Sequence, residues 1–190
     1  MLFFRAALPL AFTAMMLPVV SLAQSASTSD TSTAPSGAPA LGETYQAEQN
    51  GDWELRCVKS DTPSDPCQMY QLLTDGEGSA IAEVTLFRLP QGGQAVAGAT
   101  IVVPLETALP NQLRIQVDGG LVKTYPYAFC NTVGCYARIG LTQDDIADFK
   151  RGATATLSIV PALAPDQVVA ISMSLKGFTA SFDKTTVLTQ

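Results

Sequence analysis

The side chains of this chain that could do chemistry are cysteines, carboxylates, serines and lysines, because the sequence contains no histidine. Absence of imidazole excludes Ser-His-Asp and Cys-His catalysis and removes the commonest general base. It also excludes metal sites with imidazole ligands. Any catalytic site would therefore depend on carboxylates, lysine or serine, and the role of the cysteines has to be decided first.

The four cysteines are spaced for two local disulfides. Four cysteines allow three connectivities, and we favour Cys57–Cys67 and Cys130–Cys135 because each pair brackets turn-forming residues. Neither pair has the two-residue spacing of a thioredoxin-type redox site. Cys57 and Cys67 are too widely spaced for the close Cys-x2–4-Cys pairs usual in zinc sites. We therefore predict structural disulfides, with no metal and no cofactor.

Other candidate catalytic motifs have simpler structural interpretations. Ser181 and Lys184 have the Ser-x-x-Lys spacing of a serine nucleophile and a lysine base, but the companion motifs of penicillin-recognising enzymes are absent in order. Asp144 and Asp145 are adjacent, and adjacent residues of a helix do not face each other. Residues 75–78 (Asp-Gly-Glu-Gly) lack the ligand spacing of a calcium loop and predict a hairpin turn. We predict no catalytic residues.

Two tyrosines are candidates for contact with a partner. Tyr125 and Tyr127 flank Pro126 and would point the same way on an extended strand. Tyrosine is enriched in protein interfaces, so an exposed tyrosine here would be a binding contact, and two buried ones would be core residues. Trp53, close to Cys57, is expected in the core.

The amino terminus has the pattern of a secretory signal peptide over residues 1–23. Arg5 precedes an apolar stretch that is too short and too interrupted by proline to span a bilayer. Small residues then predict cleavage between Ala23 and Gln24. Export places the cysteines in an oxidising compartment.

Composition divides the rest of the chain into a tail and one domain. Residues 24–44 are rich in Ser, Thr, Ala and Pro and predict a disordered tail. Residues 45–190 suit a single domain with one hydrophobic core. Loss of Arg5 with the signal would leave 10 Lys and Arg against 17 Asp and Glu, a net charge of −7. This sign opposes binding to nucleic acid or to anionic lipid.

Short apolar runs separated by turn residues predict an all-β domain, either a sandwich or a partly closed barrel of about eight antiparallel strands. The predicted strands cover residues 53–57, 67–73, 80–89, 95–103, 113–117, 122–129, 136–141, 153–160 and 168–175. The run at 95–103 is nearly all apolar, as expected of a central strand covered on both faces.

One helix is clearly marked, with Thr142 as its N-cap, acids in its first turn, and Gly152 as the C′ residue. Residues 179–188 predict a second, short terminal helix. One or two small helices therefore accompany the strands.

The order of several short motifs resembles the invasion-associated locus B family. Each motif is short, but together they span about residues 51–180 in the expected order. They are Gly51-Asp52-Trp53, Val103-Pro104-Leu105, Leu109-Pro110, Val117-Asp118-Gly119, Phe129-Cys130, Gly134-Cys135 and Ser174-Leu175-Lys176-Gly177-Phe178-Thr179-Ala180. The chain departs from a common form of the family motif at Glu106-Thr107-Ala108, which replaces a Gly-containing stretch.

The resemblance implies a small exported protein of a Gram-negative bacterium, in the periplasm, the outer envelope or the extracellular space. The family takes its name from a member linked to host-cell invasion, and it also occurs in bacteria without that lifestyle. We therefore expect a role in host-cell interaction or envelope function, and the family name alone does not carry over a role in virulence. It transfers no catalytic or ligand-binding residue. We expect a non-enzymatic domain that binds another protein or an envelope component, without stable membrane insertion after signal cleavage. The alternatives are a carboxylate-based envelope hydrolase and a small-ligand carrier.

Overall fold

The computed structural model describes residues 37–188. The predicted signal peptide, its cleavage site between Ala23 and Gln24, and most of the predicted tail lie outside this range. Two α-helices and a 3-10 turn (Leu109–Asn111) accompany eleven strands in the described range: β1 (Thr44–Asn50), β2 (Trp53–Val58), β3 (Cys67–Thr74), β4 (Ala80–Arg88), β5 (Ala97–Val103), β6 (Leu113–Val117), β7 (Val122–Tyr125), β8 (Tyr127–Cys130), β9 (Cys135–Leu141), β10 (Thr154–Ile159) and β11 (Val169–Ser174). The helices are α1 (Gln143–Arg151) and α2 (Phe178–Lys184).

The strands form two antiparallel sheets. The larger has the order β1-β2-β3-β4-β5-β9-β8, and the smaller has the order β11-β10-β6-β7. Buried residues of both sheets join in one core, so the architecture is the predicted sandwich, with two short helices, and not the partly closed barrel. In β5 six of the seven residues are buried, as predicted for a central strand.

The predicted strand over residues 122–129 is two strands in different sheets. β7 pairs with β6 in the small sheet, whereas β8 pairs with β9 in the large sheet. The chain changes sheet at Pro126, which has no N–H to donate to a ladder. The prediction of one strand was therefore wrong at this residue.

One strand was not predicted. β1 begins at Thr44, and the amide of Gly42 already donates to the Lys59 carbonyl at 2.8 Å. Ordered pairing thus starts slightly before residue 45. Most of β1 is exposed because it is an edge strand, and its sequence accordingly lacks the apolar alternation that marks a half-buried strand.

Helix α1 starts as predicted and ends differently. The Thr142 hydroxyl accepts from the Asp145 amide, and the Asp145 carboxylate accepts from the Thr142 amide, which completes a capping box. Gly152 has φ −74° and is not the left-handed C′ residue that the sequence suggested. It is required for space, since a Cβ there would lie 2.5 Å from Val117 Cγ1. α2 ends at Lys184, before the predicted residue 188, and Thr186 then donates its amide to the Cys67 carbonyl.

Residues 50–53, Gln71 and residues 174–178 form a set of contacts that we call the clasp. The Gln71 amide nitrogen donates to the carbonyls of Asp52 (3.1 Å) and Ser174 (3.0 Å), and its amide oxygen accepts from the Ser174 amide. The Trp53 indole donates to the same Ser174 carbonyl at 2.9 Å. A Cβ on Gly177, whose φ is +86°, would lie 1.9 Å from the Asn50 carbonyl oxygen. The clasp joins the beginning of the fold to its end, and Trp53 is buried as expected.

Candidate binding groove

A groove of about 470 Å³ opens between the β6–β7 end of the small sheet and helix α1. This volume is in the range of pockets that bind small molecules or peptide side chains. Five apolar or aromatic side chains line it: Ile115, Val117, Leu121, Tyr125 and Phe149. Six charged side chains also line it: Asp118, Lys123, Asp144, Asp145, Asp148 and Arg151. The groove therefore combines an apolar lining with an excess of two negative charges.

An ion pair joins the two walls of the groove. Lys123 of β7 donates to the carboxylate of Asp145 in α1, and the Asp145 side chain is only 7% exposed. Burial alone raises the pKa of the Asp145 carboxyl, but bonds from Lys123 and Thr142 outweigh burial and hold that pKa below its usual value. The pKa of Lys123 is raised, mainly by its bond to Asp145. Both partners are therefore stabilised in their charged forms.

Asp118 holds the end of the groove where β6 turns into β7. Its carboxylate accepts from the amides of Ala153 (2.8 Å) and Thr154 (2.9 Å), and these bonds lower its pKa. Its φ of 43° lies in the left-handed region, which asparagine and aspartate tolerate best among residues other than glycine. These bonds fasten the turn between β6 and β7 to the backbone of Ala153 and Thr154, at one end of the groove.

The rim of the groove just before β7 carries an exposed apolar side chain. Leu121 lines the groove and is 87% exposed. On the helix side, Asp148 pairs with Arg151 at 2.6 Å. The carboxylate of Asp144 has no hydrogen-bond or ion-pair partner among the described residues. An apolar side chain and a carboxylate without a partner among the described residues thus both line the opening.

The two predicted contact tyrosines lie in different places. Tyr125 lines the groove, where burial is the main cause of its raised pKa. Tyr127 packs on the core outside the groove, and its buried hydroxyl has no hydrogen-bond partner in the described part of the chain. Burial raises the pKa of Tyr127 to about 12. Contact with a partner stays a prediction for both tyrosines. Of the two, only Tyr125 lines the groove, where a partner could reach it.

The cysteines pair as predicted, and both disulfides lie away from the groove. Cys57 and Cys67 are direct neighbours across β2 and β3, and Cys130 and Cys135 close the β8–β9 hairpin. Within the loop of the first disulfide, Asp65 accepts from the Ser60 amide at 2.9 Å and the Tyr45 hydroxyl at 2.7 Å. These bonds hold the pKa of Asp65 well below its usual range.

The other candidate catalytic groups have structural roles. Ser181 is fully buried, and its hydroxyl has no partner within residues 37–188. Lys184 pairs with Glu48 of β1 and not with Ser181. Asp75 forms the predicted turn by accepting from the amides of Glu77 and Ser79. A nucleophilic serine buried in this way could not reach a substrate.

Searches for two further kinds of site gave no candidate in the described range. None of its clusters of Cys, Asp and Glu side chains is arranged to hold a metal ion. None of the helices within residues 37–188 is long and apolar enough to cross a membrane.

Sequence reasoning found Tyr125 but not the groove. Lys123 and Tyr125 lie two residues apart and therefore on the same, inward side of β7. A charged residue on the inward side of a strand indicates a buried partner. Asp145 was assigned only to the helix cap, although its carboxylate also binds Lys123. β7 can contact α1 because the strand predicted for residues 122–129 is divided at Pro126. The strand pattern in the sequence did not predict this division.

Comparison with known proteins identifies the family. The family model described as "Invasion associated locus B (IalB) protein" matches residues 53–186, which include the clasp residues after position 52 and the whole groove. The chain belongs to the invasion-associated locus B family. The resemblance of its motifs to this family is thereby confirmed.

Curated relatives and a solved structure agree with this assignment. Invasion protein B homologs of two Brucella abortus strains, 2308 and biovar 1 strain 9-941, are each 28% identical over 156 residues, covering 82% of this chain and 85% of the relative. The crystal structure of invasion associated protein B from Bartonella henselae superposes with a TM-score of 0.62 at 21% identity, covering 73% of this chain and 91% of that one. The latter likeness shows a shared sandwich fold.

The family motifs correspond mainly to structural contacts of the sandwich. Gly51-Asp52-Trp53 and Ser174 to Phe178 meet in the clasp, and Asp118 of Val117-Asp118-Gly119 holds the turn beside the groove. The family motifs therefore account for contacts that hold the sandwich together around the groove. The chemistry of the groove itself follows from the residues that line it.

Proposed function

We propose that this member of the invasion-associated locus B family is an exported interaction domain of the cell envelope that binds another protein or a surface component through the groove. The single observation that carries the proposal is the combination at one opening of an apolar lining, an excess of acidic side chains, and the exposed Leu121. Solvent-exposed apolar residues beside a groove are typical of interaction sites.

The charge states of the groove favour binding over hydrolysis. A glycan hydrolase needs a carboxylic acid whose pKa is raised, so that it can donate a proton. The pKa values of Asp118 and Asp145 are instead lowered, and their oxygens are occupied by amides, Thr142 and Lys123. Asp148 is paired with Arg151. Among the acids of the groove lining, Asp144 is then the one whose carboxylate has no hydrogen-bond or ion-pair partner within residues 37–188. A hydrolase of this kind needs two acids.

The carrier alternative places a small ligand inside the fold. The space between the two sheets is filled by buried side chains, including Leu113, Leu157 and Ile171. The groove is on the surface and open to solvent at β7. A macromolecular partner that lies along the opening suits this shape better than an enclosed small ligand.

The names of the relatives support a role at the boundary between bacterium and host. They are called invasion proteins, and we propose that this chain contributes to host-cell interaction or to envelope function, with virulence as one consequence. Export through a signal peptide cleaved between Ala23 and Gln24 is part of the proposal. Amino-terminal sequencing of the periplasmic protein should begin at Gln24, and retention of residues 1–23 would contradict this part.

Site-specific photocrosslinking tests the binding role. A photoreactive amino acid at position 121 should give a discrete covalent adduct in intact cells, because Leu121 is 87% exposed at the groove rim. Leu163 is the matched control, since it is also a leucine, is 84% exposed and lies outside the groove lining. Adducts from position 163 but none from position 121 would contradict the proposal.

A further inference from the structure

The two sheets have four edge strands, and the edges differ in whether they could accept another strand. Unpaired N–H and C=O groups at an edge are a template for strand addition, which bulges and covering contacts prevent. At both edges of the large sheet the pairing register is interrupted. β1 is bulged between Gln46 and Glu48, and β8 is bulged between Tyr127 and Phe129. Neither edge offers a regular ladder.

One edge of the small sheet, β11, is held at its end by side chains of the large sheet. Ser174, at the end of β11, bonds through both its amide and its carbonyl to the side chain of Gln71 in β3. The Trp53 indole adds a second bond to the Ser174 carbonyl. The clasp thus occupies the end of β11 that would otherwise continue a ladder.

The remaining edge, β7, is regular and uncovered. It pairs with β6 without interruption from Gln116↔Val122 to Leu113↔Tyr125. Among residues 37–188, the backbone of residues 121–125 makes no hydrogen bond outside this pairing. A charged side chain on an edge strand usually discourages addition, but Lys123 is already engaged by Asp145. Of the four edges, β7 is the one that has neither a bulge nor a bond from the clasp, and it borders the groove.

The side chains around β7 specify the chemistry of an added strand. Alternate residues of such a strand would face the groove. There they would meet the apolar surfaces of Tyr125 and Phe149, and an opening where acids outnumber bases by two. Asp144 has its carboxylate available, as described above. An extended segment whose groove-facing positions, which are every second residue, carry apolar residues and lysine or arginine in turn is therefore complementary in both shape and charge.

We propose that β7 accepts an extended, basic and apolar segment of a partner protein as a fifth strand of the small sheet, with alternate side chains of that segment in the groove. This inference rests on the proposed function and specifies its partner. Strand addition derives affinity from main-chain hydrogen bonds and specificity from the pockets for alternate side chains. Here the main-chain groups belong to Val122–Tyr125, and the pocket is the groove.

A second copy of this chain is a poorer occupant. Pairing β7 with the β7 of another copy would bring two acidic grooves together in a chain whose net charge is −6. It would offer each groove only a Lys123 that is already paired with Asp145. Like charges placed close together oppose such an interface.

Binding of defined peptides to the mature protein tests the inference. The first probe, called the valine–lysine peptide, is an octapeptide with valine and lysine in turn at every second position and threonine between them. The second probe has glutamate in place of lysine, and the third is the valine–lysine peptide with N-methyl groups on alternate amides. We expect the first to bind at least about tenfold more tightly than either of the others, because the second reverses the charge and the third loses main-chain donors. Within Val122–Tyr125, the amides that do not already bond to β6 should exchange at least about tenfold more slowly in the saturated complex.

Several results would overturn strand addition. They are equal binding of the N-methylated peptide, no binding of the valine–lysine peptide at millimolar concentration, protection at β1, β8 or β11 instead of β7, and protection of β7 by self-association without peptide. Adducts from position 121 together with any of these results would leave the proposed function standing and overturn only the strand mechanism. If position 121 also gave no crosslinked adducts, both the proposed function and the strand mechanism would be contradicted.

Discussion

The clasp and the groove use polar side chains in opposite ways. In the clasp, Gln71 is 5% exposed and its amide group makes three bonds to backbone atoms of Asp52 and Ser174. In the groove, Asp144 is exposed, and Leu121 is an apolar side chain left in solvent. The clasp satisfies its polar groups internally, whereas the groove leaves both polar and apolar groups available.

This difference explains why the recognisable motifs are uninformative about binding. Gly177 has no room for a side chain, and Trp53 both packs against Phe178, at 5.5 Å between ring centroids, and donates to Ser174. Such positions tolerate few residue types, so they form motifs. An exposed leucine or aspartate at a groove rim meets no such constraint, and the fold alone does not reveal what it binds.

The largest expected effect comes from Gly177→Ala in the clasp. A Cβ there would lie 1.9 Å from the Asn50 carbonyl oxygen, and the φ of +86° disfavours any L side chain. We expect the free energy of unfolding to fall by about 3 kcal/mol or more, measured by urea denaturation. Gly76→Ala is the control, because nothing lies within 4 Å of its Cβ position. Equal urea midpoints for the two variants would contradict the role of Gly177.

A smaller loss is expected from Gln71→Leu, which keeps the size of the side chain and removes its three bonds. The Ser174 amide and the Asp52 carbonyl would lose their Gln71 partner in a partly buried site, at a cost of about 1–2 kcal/mol. Gln116→Leu removes one exposed bond, to the Gly120 carbonyl at 2.8 Å, and should change stability by less than about 0.5 kcal/mol. Similar losses in both variants would show that the clasp is not special.

The groove should contribute less to stability and should do so in a pH-dependent way. The pKa of Asp145 is lower in the folded state, so its contribution is complete above the unfolded value, about 3.9, and is lost as pH falls through the folded pKa. Lys123→Met should cost about 1 kcal/mol at pH 7, because the lysine is 42% exposed, and should weaken this acid dependence. Urea unfolding at pH 7 and pH 3 measures both effects.

Lys150→Met is the control for that experiment. Lys150 pairs with Asp183, whose side chain is 59% exposed, so its loss should change stability by less than about 0.5 kcal/mol at either pH. If Lys123→Met and Lys150→Met behave alike, the ion pair across the groove has no special role.

The smallest effect is expected from Tyr127→Phe. This change removes a buried hydroxyl that has no partner in the described range, so the variant should be as stable as the wild type or slightly more stable at pH 7. The pKa of Tyr127 is about 12, so the folded state keeps its proton while an unfolded tyrosine ionises near pH 10. Wild-type stability should therefore decline above about pH 10, and less so in the variant. A loss of more than 1 kcal/mol at pH 7 would indicate a missing partner.

Sequence patterns predicted the elements that depend on local chemistry. The cysteine pairing, the Thr142 cap and the turn at Asp75 involve residues close in the chain, and the structure has all three. The alternation of buried residues in β2 and at the start of β6 was also recognisable. Local spacing was sufficient for these features because their partners lie within a few residues or on an adjacent strand.

The features that the sequence did not predict depend on distant partners. β1 is a polar edge strand, and the break at Pro126 follows from membership of β7 and β8 in different sheets. The groove requires Lys123 to meet Asp145, 22 positions later, across two elements. The sequence suggested that Gly152 has a left-handed backbone conformation, whereas in the structure its lack of a Cβ allows close contact with Val117. Each of these requires the tertiary arrangement.

Retention of partner by a pair of surface variants tests the central claim most directly. Leu121→Glu places a charge at the rim of the groove, and Leu163→Glu makes the same change at an equally exposed site elsewhere. With urea midpoints of both variants matching the wild type, we expect recovery of the partner identified from position 121 to fall at least about tenfold for Leu121→Glu alone. Undiminished recovery with Leu121→Glu, or an equal loss with Leu163→Glu, would contradict the account.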